Sequence, residues 1–308
     1  KGGNDSARFA IVSCSSYENG YFNAYKSIAQ RNDVDAVIHL GDYIYEYGTG
    51  GYSQGISNRV EDPTNEIISL SDYRIRHSHY KLDNDLKRLH QVVPFMTVWD
   101  DHESANDAWK NGAENHNSGE GPWAARLANS TKAYQEWMPL RYPDPTDTVK
   151  IYRSIQWGDL LNILMLDTRI IGRDEQDLGA ANNSNRSLLG ATQYQWLTQQ
   201  LSDSSFTWKM LAQQVMMAPL RVFGIPVNAD QWDGYAYERD QLGNFVTGNN
   251  IRNVFVVTGD IHTSWVSDIP GPGYNSSTGA NSRMVEFVTT SVPSPVFPIA
   301  VGAVLIPA

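Results

Sequence analysis

The sequence predicts a layered α/β domain, and three observations point there. Short apolar, β-branched runs alternate with amphipathic stretches along nearly the whole chain, as in α/β folds built from βαβ units. Four acidic signatures, Ser13-Cys14, Gly41-Asp42-Tyr43-Ile44-Tyr45, Trp99-Asp100-Asp101-His102-Glu103 and Gly259-Asp260-Ile261-His262, each fall where such a run stops. No internal repeat competes with that order.

FAIVSC reads as the first strand. Tyr21 to Gln30 follows as a helix with Phe22, Tyr25, Ile28 and Ala29 on one face, and AVIHLG closes a βαβ unit. FMTVWDD is a further strand ending in acids. YRSIQWG and LLNILMLDT flank Gly158-Asp159 as a hairpin. Thr192 and Gln195 have the spacing of a capping box that opens the helix TQYQWLTQQL. WKMLAQQVMM and NVFVVTGDIH are the later strands. Gly48 to Asn65, Asn106 to Gly121 and Gly172 to Gly190 are long Gly-, Asn- and Ser-rich loops, of the kind that wall binding clefts. The apolar tail Val296 to Ile306 falls well short of the ~20 residues that span a bilayer, so a packed terminal element or a lip beside the site is expected instead.

A chain of 308 residues with 41% hydrophobic content can bury one large core, and residues 1–308 are read as a single domain. The 34 acidic against 24 basic side chains give a net charge of −10, which argues against stable complexes with nucleic acid or anionic membranes. The single cysteine excludes an internal disulfide.

Strands of an α/β sheet deliver functional groups at their carboxyl ends, so Cys14, Asp42, Asp101, Asp260 and His262 are expected at one rim. Crowded carboxylates repel one another unless a cation neutralises them, which predicts a cluster of polyvalent metals. Asp42 and Tyr45 are three apart and grip one ion if the chain turns helically there. A phenolate at neutral pH needs a strong Lewis acid such as ferric iron, and a Cys14 thiolate suits the same ion. Asp260 and His262 project to one side and serve adjacent metals, with Asp42 bridging. Asp101 completes the shell of a second ion, for which oxygen ligands favour calcium, magnesium or manganese. His102 stands near the substrate, whereas His39, inside a strand, is structural. Arg169 ends LNILMLDTR, either as a phosphate clamp or as an ordinary ion-pair partner. Gln213 and Gln214 are each a hard-cation ligand or a hydrogen-bonded amide.

In order and completeness these segments resemble the PhoD-like alkaline phosphatases, a branch of the calcineurin-like metallophosphoesterases. The resemblance covers essentially the whole chain: Ser13-Cys14, FNAY at Phe22 to Tyr25, HLGDYIYEYG at His39 to Gly48, DYRIRH at Asp72 to His77, WDDHESAND at Trp99 to Asp107 and LDTR at Leu166 to Arg169. WKMLAQQV, DGYAYER at Asp233 to Arg239, VVTGDIH and VEFVTTS follow. It implies two face-packed mixed β-sheets flanked by helices. It also implies iron on Cys14, Asp42, Tyr45 and His262, and one or two calcium ions on Asp42, Asp101, Gln214 and Asp260, with zinc or manganese as substitutes. Arg169 and His102 would contact the phosphate, helped by Asn106. Relatives carry an N-terminal accessory domain and a C-terminal lid that are expected to be absent here.

The implied activity is hydrolysis of phosphate esters by a metal-bound hydroxide, as an alkaline phosphatase with phosphodiesterase activity. A diesterase or phospholipase D-type enzyme is the alternative, and a non-catalytic calcium-binding module a remote one. The expected partners are a phosphate mono- or diester and the phosphate product, and the protein is expected to be an exported, extracellular or periplasmic monomer.

Overall fold

The computed structural model describes residues 6–55, 58–138, 140–144, 146–147 and 149–295. Three parallel strands, β1 (Phe9–Val12), β2 (Ala36–His39) and β3 (Phe95–Thr97), form one sheet in the order β1-β2-β3. The second sheet has the order β10-β11-β9-β6-β5-β4. Its members are β4 (Arg153–Trp157), β5 (Leu161–Met165), β6 (Trp208–Ala212), β9 (Val254–Thr258), β10 (Trp265–Asn275) and β11 (Ala280–Val288). Four of these run parallel, with an antiparallel strand at each edge, so only the second sheet is mixed. A small hairpin of β7 (Arg221–Val222) and β8 (Ile225–Pro226) lies apart.

Side-chain alternation along the second sheet builds the layers. Ile163 and Met165 of β5, Met210 and Ala212 of β6 and Val257 of β9 join Val12, Val37 and Ile38 of the first sheet in one apolar cluster. Their strand neighbours Leu164, Leu211 and Val256 face the other way, into a second cluster with α5 (Gly190–Ser202) and α6 (Ala236–Gly248). The outer face of the first sheet is covered by α1 (Asn23–Ala29), α2 (Leu70–Lys81), α3 (Asn84–Val92) and α4 (Trp123–Trp137), through Tyr25, Tyr73, Tyr80, Leu86, Leu89 and Tyr134. Two sheets therefore pack face to face between two helical layers. No helix among the described residues is long and apolar enough to cross a membrane.

The βαβ unit and the hairpin form as the sequence predicts, with Phe22 and Tyr25 buried on the expected helix face. His39 is structural: it is buried, and its Nε2 lies 2.8 Å from the Tyr25 hydroxyl. The predicted capping box is not there. The helix begins two residues before Thr192, and Ser187 Oγ accepts from Gly190 N at 2.7 Å while the Glu238 carboxylate of α6 accepts from Leu188 N and Leu189 N. A capping box does open α2, between Ser69 and Asp72. The strand WKMLAQQVMM stops at Ala212. Among their described residues the three long loops contain no helix or strand, except that the last residue of the third, Gly190, opens α5. The expectation for the tail Val296 to Ile306 lies outside the described residues.

Candidate metal centre at the sheet rim

At the carboxyl ends of β1, β2 and β9 the chain turns so sharply that Cys14, Asp42, Asp260 and His262 adopt φ values of 59°, 54°, 63° and 59°. Non-glycine residues rarely occupy this left-handed region, and such strain concentrates at functional sites. The turns interlock through their glycines. A Cβ on Gly41 would lie 2.3 Å from Asp100 N, and one on Gly259 would lie 2.3 Å from Ser13 Oγ. Glycine there allows the strand ends to approach closely enough to share ligands. Glu103 binds the same turns together, its carboxylate accepting from the main-chain N–H of Asp42, Tyr43 and Asp100 at 3.1, 2.6 and 2.8 Å.

Three overlapping groups of side chains result. Ligand atoms within 4.8 Å of one another come from Cys14, Asp42 and His262; from Asp42, Asp101 and His102; and from Asp100, Asp101 and Asp260. Tyr45 joins the first, its hydroxyl 3.2 Å from Asp42 Oδ2 and 3.4 Å from His262 Nε2. Asp42 and Asp101 each belong to two groups, as bridging ligands do. His262 is prepared as a neutral ligand. Burial lowers its pKa to about 4, and Pro295 O, 2.5 Å from Nδ1, fixes the proton on that nitrogen and leaves the Nε2 lone pair toward Tyr45.

The electrostatics favour bound cations. Burial raises Asp42 and Asp100 well above the usual carboxylate range, neighbouring carboxylates add to this, and Asp260 is pushed up to about 7 for the same reasons. Burial, then Asp42, raises the Cys14 thiol and the Tyr45 phenol. Asp42 Oδ1 and Asp100 Oδ2 are buried without a hydrogen-bond partner. Polyvalent cations would satisfy those oxygens and restore the ionised forms. The donors also differ by type: thiol, phenol and imidazole gather around Asp42 in one group, whereas the Asp100–Asp101–Asp260 group offers carboxylates alone, a borderline set beside a hard-oxygen set.

His102 lies against Tyr45, ring centroids 4.2 Å apart, with Nδ1 2.7 Å from Glu46 Oε2. Burial alone would lower its pKa, but Glu46, Asp42 and Asp101 hold it well above its ordinary value. Arg169 is fully buried among acids: Nε meets Asp100 at 2.5 Å, Nη1 meets both Asp230 oxygens at 2.6 and 2.7 Å, and Nη2 meets Asp260 at 2.9 Å. Of the two readings offered by the sequence, this geometry is the ion-pair one, and a phosphate contact requires a carboxylate to give way.

Three of the residues considered from the sequence have side chains hydrogen-bonded to other partners. Gln214 Oε1 accepts from Thr168 N at 3.0 Å and Thr168 Oγ1 at 2.6 Å, and Nε2 donates to Leu166 O, so the amide expected to ligate calcium is hydrogen-bonded between strand ends in this structure. Gln213 is likewise taken, by Trp232 Nε1 and Val215 O. Asn106 turns its amide outward to Glu114, while its main-chain N–H donates to Glu46. Sequence reasoning missed Asp100, Glu46, Glu103 and Asp230 as members of the site. The first three lie inside the signature motifs and could have been found there; Asp230 has no local signal.

Fold and site together define an α/β sandwich with carboxylate-rich side-chain groups at its rim that could hold metal ions. The chain belongs to the PhoD-like phosphatase family, whose model matches residues 9–304. It is 40% identical over 301 residues to alkaline phosphatase D of Bacillus subtilis, covering 93% of this chain and 50% of that protein. A solved structure of PhoD superposes with a TM-score of 0.83 at 38% identity, covering 93% of this chain and 56% of that one. The chain thus spans about half the length of the curated relative it matches.

Proposed function

We propose that the protein hydrolyses phosphate esters at this rim, as a phosphomonoesterase with additional diesterase activity. The observation that supports it most is the sharing of Asp42 between a Cys14–Tyr45–His262 set and a carboxylate set, an arrangement suited to two adjacent, unlike metals. In this reading ferric iron takes Cys14, Asp42, Tyr45 and His262, and one or two calcium ions take Asp42, Asp100, Asp101 and Asp260. Bound metals would neutralise the ester's negative charge and lower the pKa of water from ~16 to about 7.

The chain's own residues supply the rest. Glu46 fixes the His102 ring through Nδ1, which leaves Nε2 to donate a proton toward the leaving oxygen. Glu103 holds the two acid-bearing turns in register, and Arg169 supplies fixed positive charge beside Asp100, Asp230 and Asp260. That both apolar clusters share β5, β6 and β9 supports reading the described residues as one catalytic unit. An exported monomer working where calcium is plentiful fits this chemistry.

Elemental analysis with a visible spectrum tests the metals: thiolate or phenolate on ferric iron gives visible colour, and a colourless zinc protein would refute the iron assignment. Rates on p-nitrophenyl phosphate and its bis ester test the reaction. Turnover of the diester alone would replace the monoesterase reading with a diesterase one, and turnover of neither would leave a metal-binding module.

A further inference from the structure

Away from the rim, where the edges of the two sheets part, a cavity of about 800 Å³ opens beside β3, β4 and α5. It shares no lining residue with the ligand groups of the metal centre. Its walls include Arg141, Lys150 and Arg153 together with Tyr142, Tyr152 and Trp196. Three cations in one cleft stand out in a chain of net charge −10.

Arg153 is the informative member. Burial lowers its pKa, yet its guanidinium donates only to main-chain carbonyls, Nη1 to Ile151 O at 3.1 Å and Nη2 to Thr97 O at 2.7 Å. Among the described residues, none of the three cations has a carboxylate partner within ion-pair distance. The acids of the neighbouring loop bond within that loop: Asp144 accepts from Thr146 N and Oγ1 at 2.9 and 2.6 Å and feels the Lys150 charge only from beyond ion-pair distance, and Asp147 accepts from Val149 N and Lys150 N at 3.1 and 3.2 Å. A guanidinium withdrawn from water without a counter-charge is costly, and a bound anion offsets that cost. The Tyr142 hydroxyl is buried without a hydrogen-bond partner, so a further donor is available. Tyr152 and Trp196 lie with ring centroids 4.9 Å apart, and Lys150 Nζ sits 5.6 Å from the Tyr152 centroid, which places aromatic surface next to positive charge.

We propose that this cleft is a second anion site, separate from the metal centre, that takes a small organic phosphate bearing a planar ring. The phosphate meets Arg141, Lys150 and Arg153, and the ring packs on Tyr152 and Trp196. The site binds; it has no group that would turn the ligand over.

Phenylphosphonate tests this, because its carbon–phosphorus bond resists hydrolysis. In isothermal titration of the metal-loaded protein, the Arg141→Gln/Lys150→Gln double variant is expected to lose one binding event, its affinity falling at least ~10-fold. Both residues are at the surface of the cleft, so the melting temperature should hold, and Arg141→Lys/Lys150→Arg should keep the event. The same event should persist in Asp42→Asn, which disables the rim and separates this site from the catalytic reading. The proposal is overturned if the double variant titrates as the unaltered protein does, or if the event disappears with Asp42→Asn.

Discussion

Asp42 shows how much one residue is asked to do. Its carboxylate belongs to two ligand groups, receives the Tyr45 hydroxyl through Oδ2 and leaves Oδ1 without a partner. Asp42→Asn is expected to lower turnover at least ~100-fold, since even partners one step removed from a metal cost that much. The chelated variant should melt no lower than the chelated unaltered protein, because an uncompensated buried carboxylate has been removed. Kinetics and melting with and without chelator check both parts, and wild-type turnover in the variant would remove Asp42 from the mechanism. Gly41→Ala probes the turn itself. Its new Cβ would lie 2.3 Å from Asp100 N, at a φ of 110° that side chains rarely adopt, so a loss of roughly 1–3 kcal/mol or more is expected in urea denaturation, with activity falling in parallel. At this scale the sequence was readable where chemistry and position coincide. Cys14, Asp42, Tyr45, Asp101, Asp260 and His262 all sit where an apolar run stops, and all meet. Gln214 satisfies the same positional rule, but Thr168 takes its oxygen.

Elements were legible to the extent that their causes are local. The β1-α1-β2 unit follows from periodicity within the segment, and the β4-β5 hairpin from a Gly-Asp turn between two apolar runs. The start of α5 was misplaced because the segment leading into it is held from outside: Leu188 N and Leu189 N donate to Glu238, a side chain of another helix, and Ser187 rather than Thr192 bonds the first helical N–H. A similar distant carboxylate joins β11 to the segment after β6. Glu286 is buried and accepts from Met217 N and Ala218 N, each at 2.7 Å, and from Thr258 Oγ1 at 3.1 Å. Burial outweighs those bonds and pushes its pKa up to about 7 from 4.5. A carboxyl whose folded pKa is raised binds its proton more tightly in the folded state. Stability from this group therefore falls as pH rises from 4.5 to about 7, by up to roughly 1.4 kcal/mol per pH unit. Glu286→Gln should flatten that slope and, by turning an amide donor toward main-chain N–H groups, cost roughly 1–3 kcal/mol at low pH. Urea titrations across this pH range read both effects, and an unchanged slope in the variant would discount Glu286 as the titrating group.

For the molecule as a whole, the two sheets and the candidate metal groups are linked, since the buried acids lie where β1, β2 and β9 end together. Chelation should lower the melting temperature and abolish turnover, and added metal should restore both. The stabilisation is about 2.7 kcal/mol where free metal exceeds its dissociation constant 100-fold. A melting curve indifferent to chelator would mean that the acids do not depend on cations. The sequence by itself determined the α/β class, the strands that end in acids and most of the side chains that gather at the rim, because strand periodicity and chain direction are local properties that carry functional groups to a common edge. Tertiary structure alone decided which of those groups face one another. Hydrogen-bond partners distant in the chain orient each side chain: Thr168 turns Gln214 away, Asp100, Asp230 and Asp260 enclose Arg169, and Glu46 steers His102. The cationic cleft beside β4 draws Arg141, Tyr142, Lys150, Tyr152 and Arg153 from one stretch of the chain, but only the fold sets Trp196 of α5 and Phe95 of β3 against them and closes a cavity there.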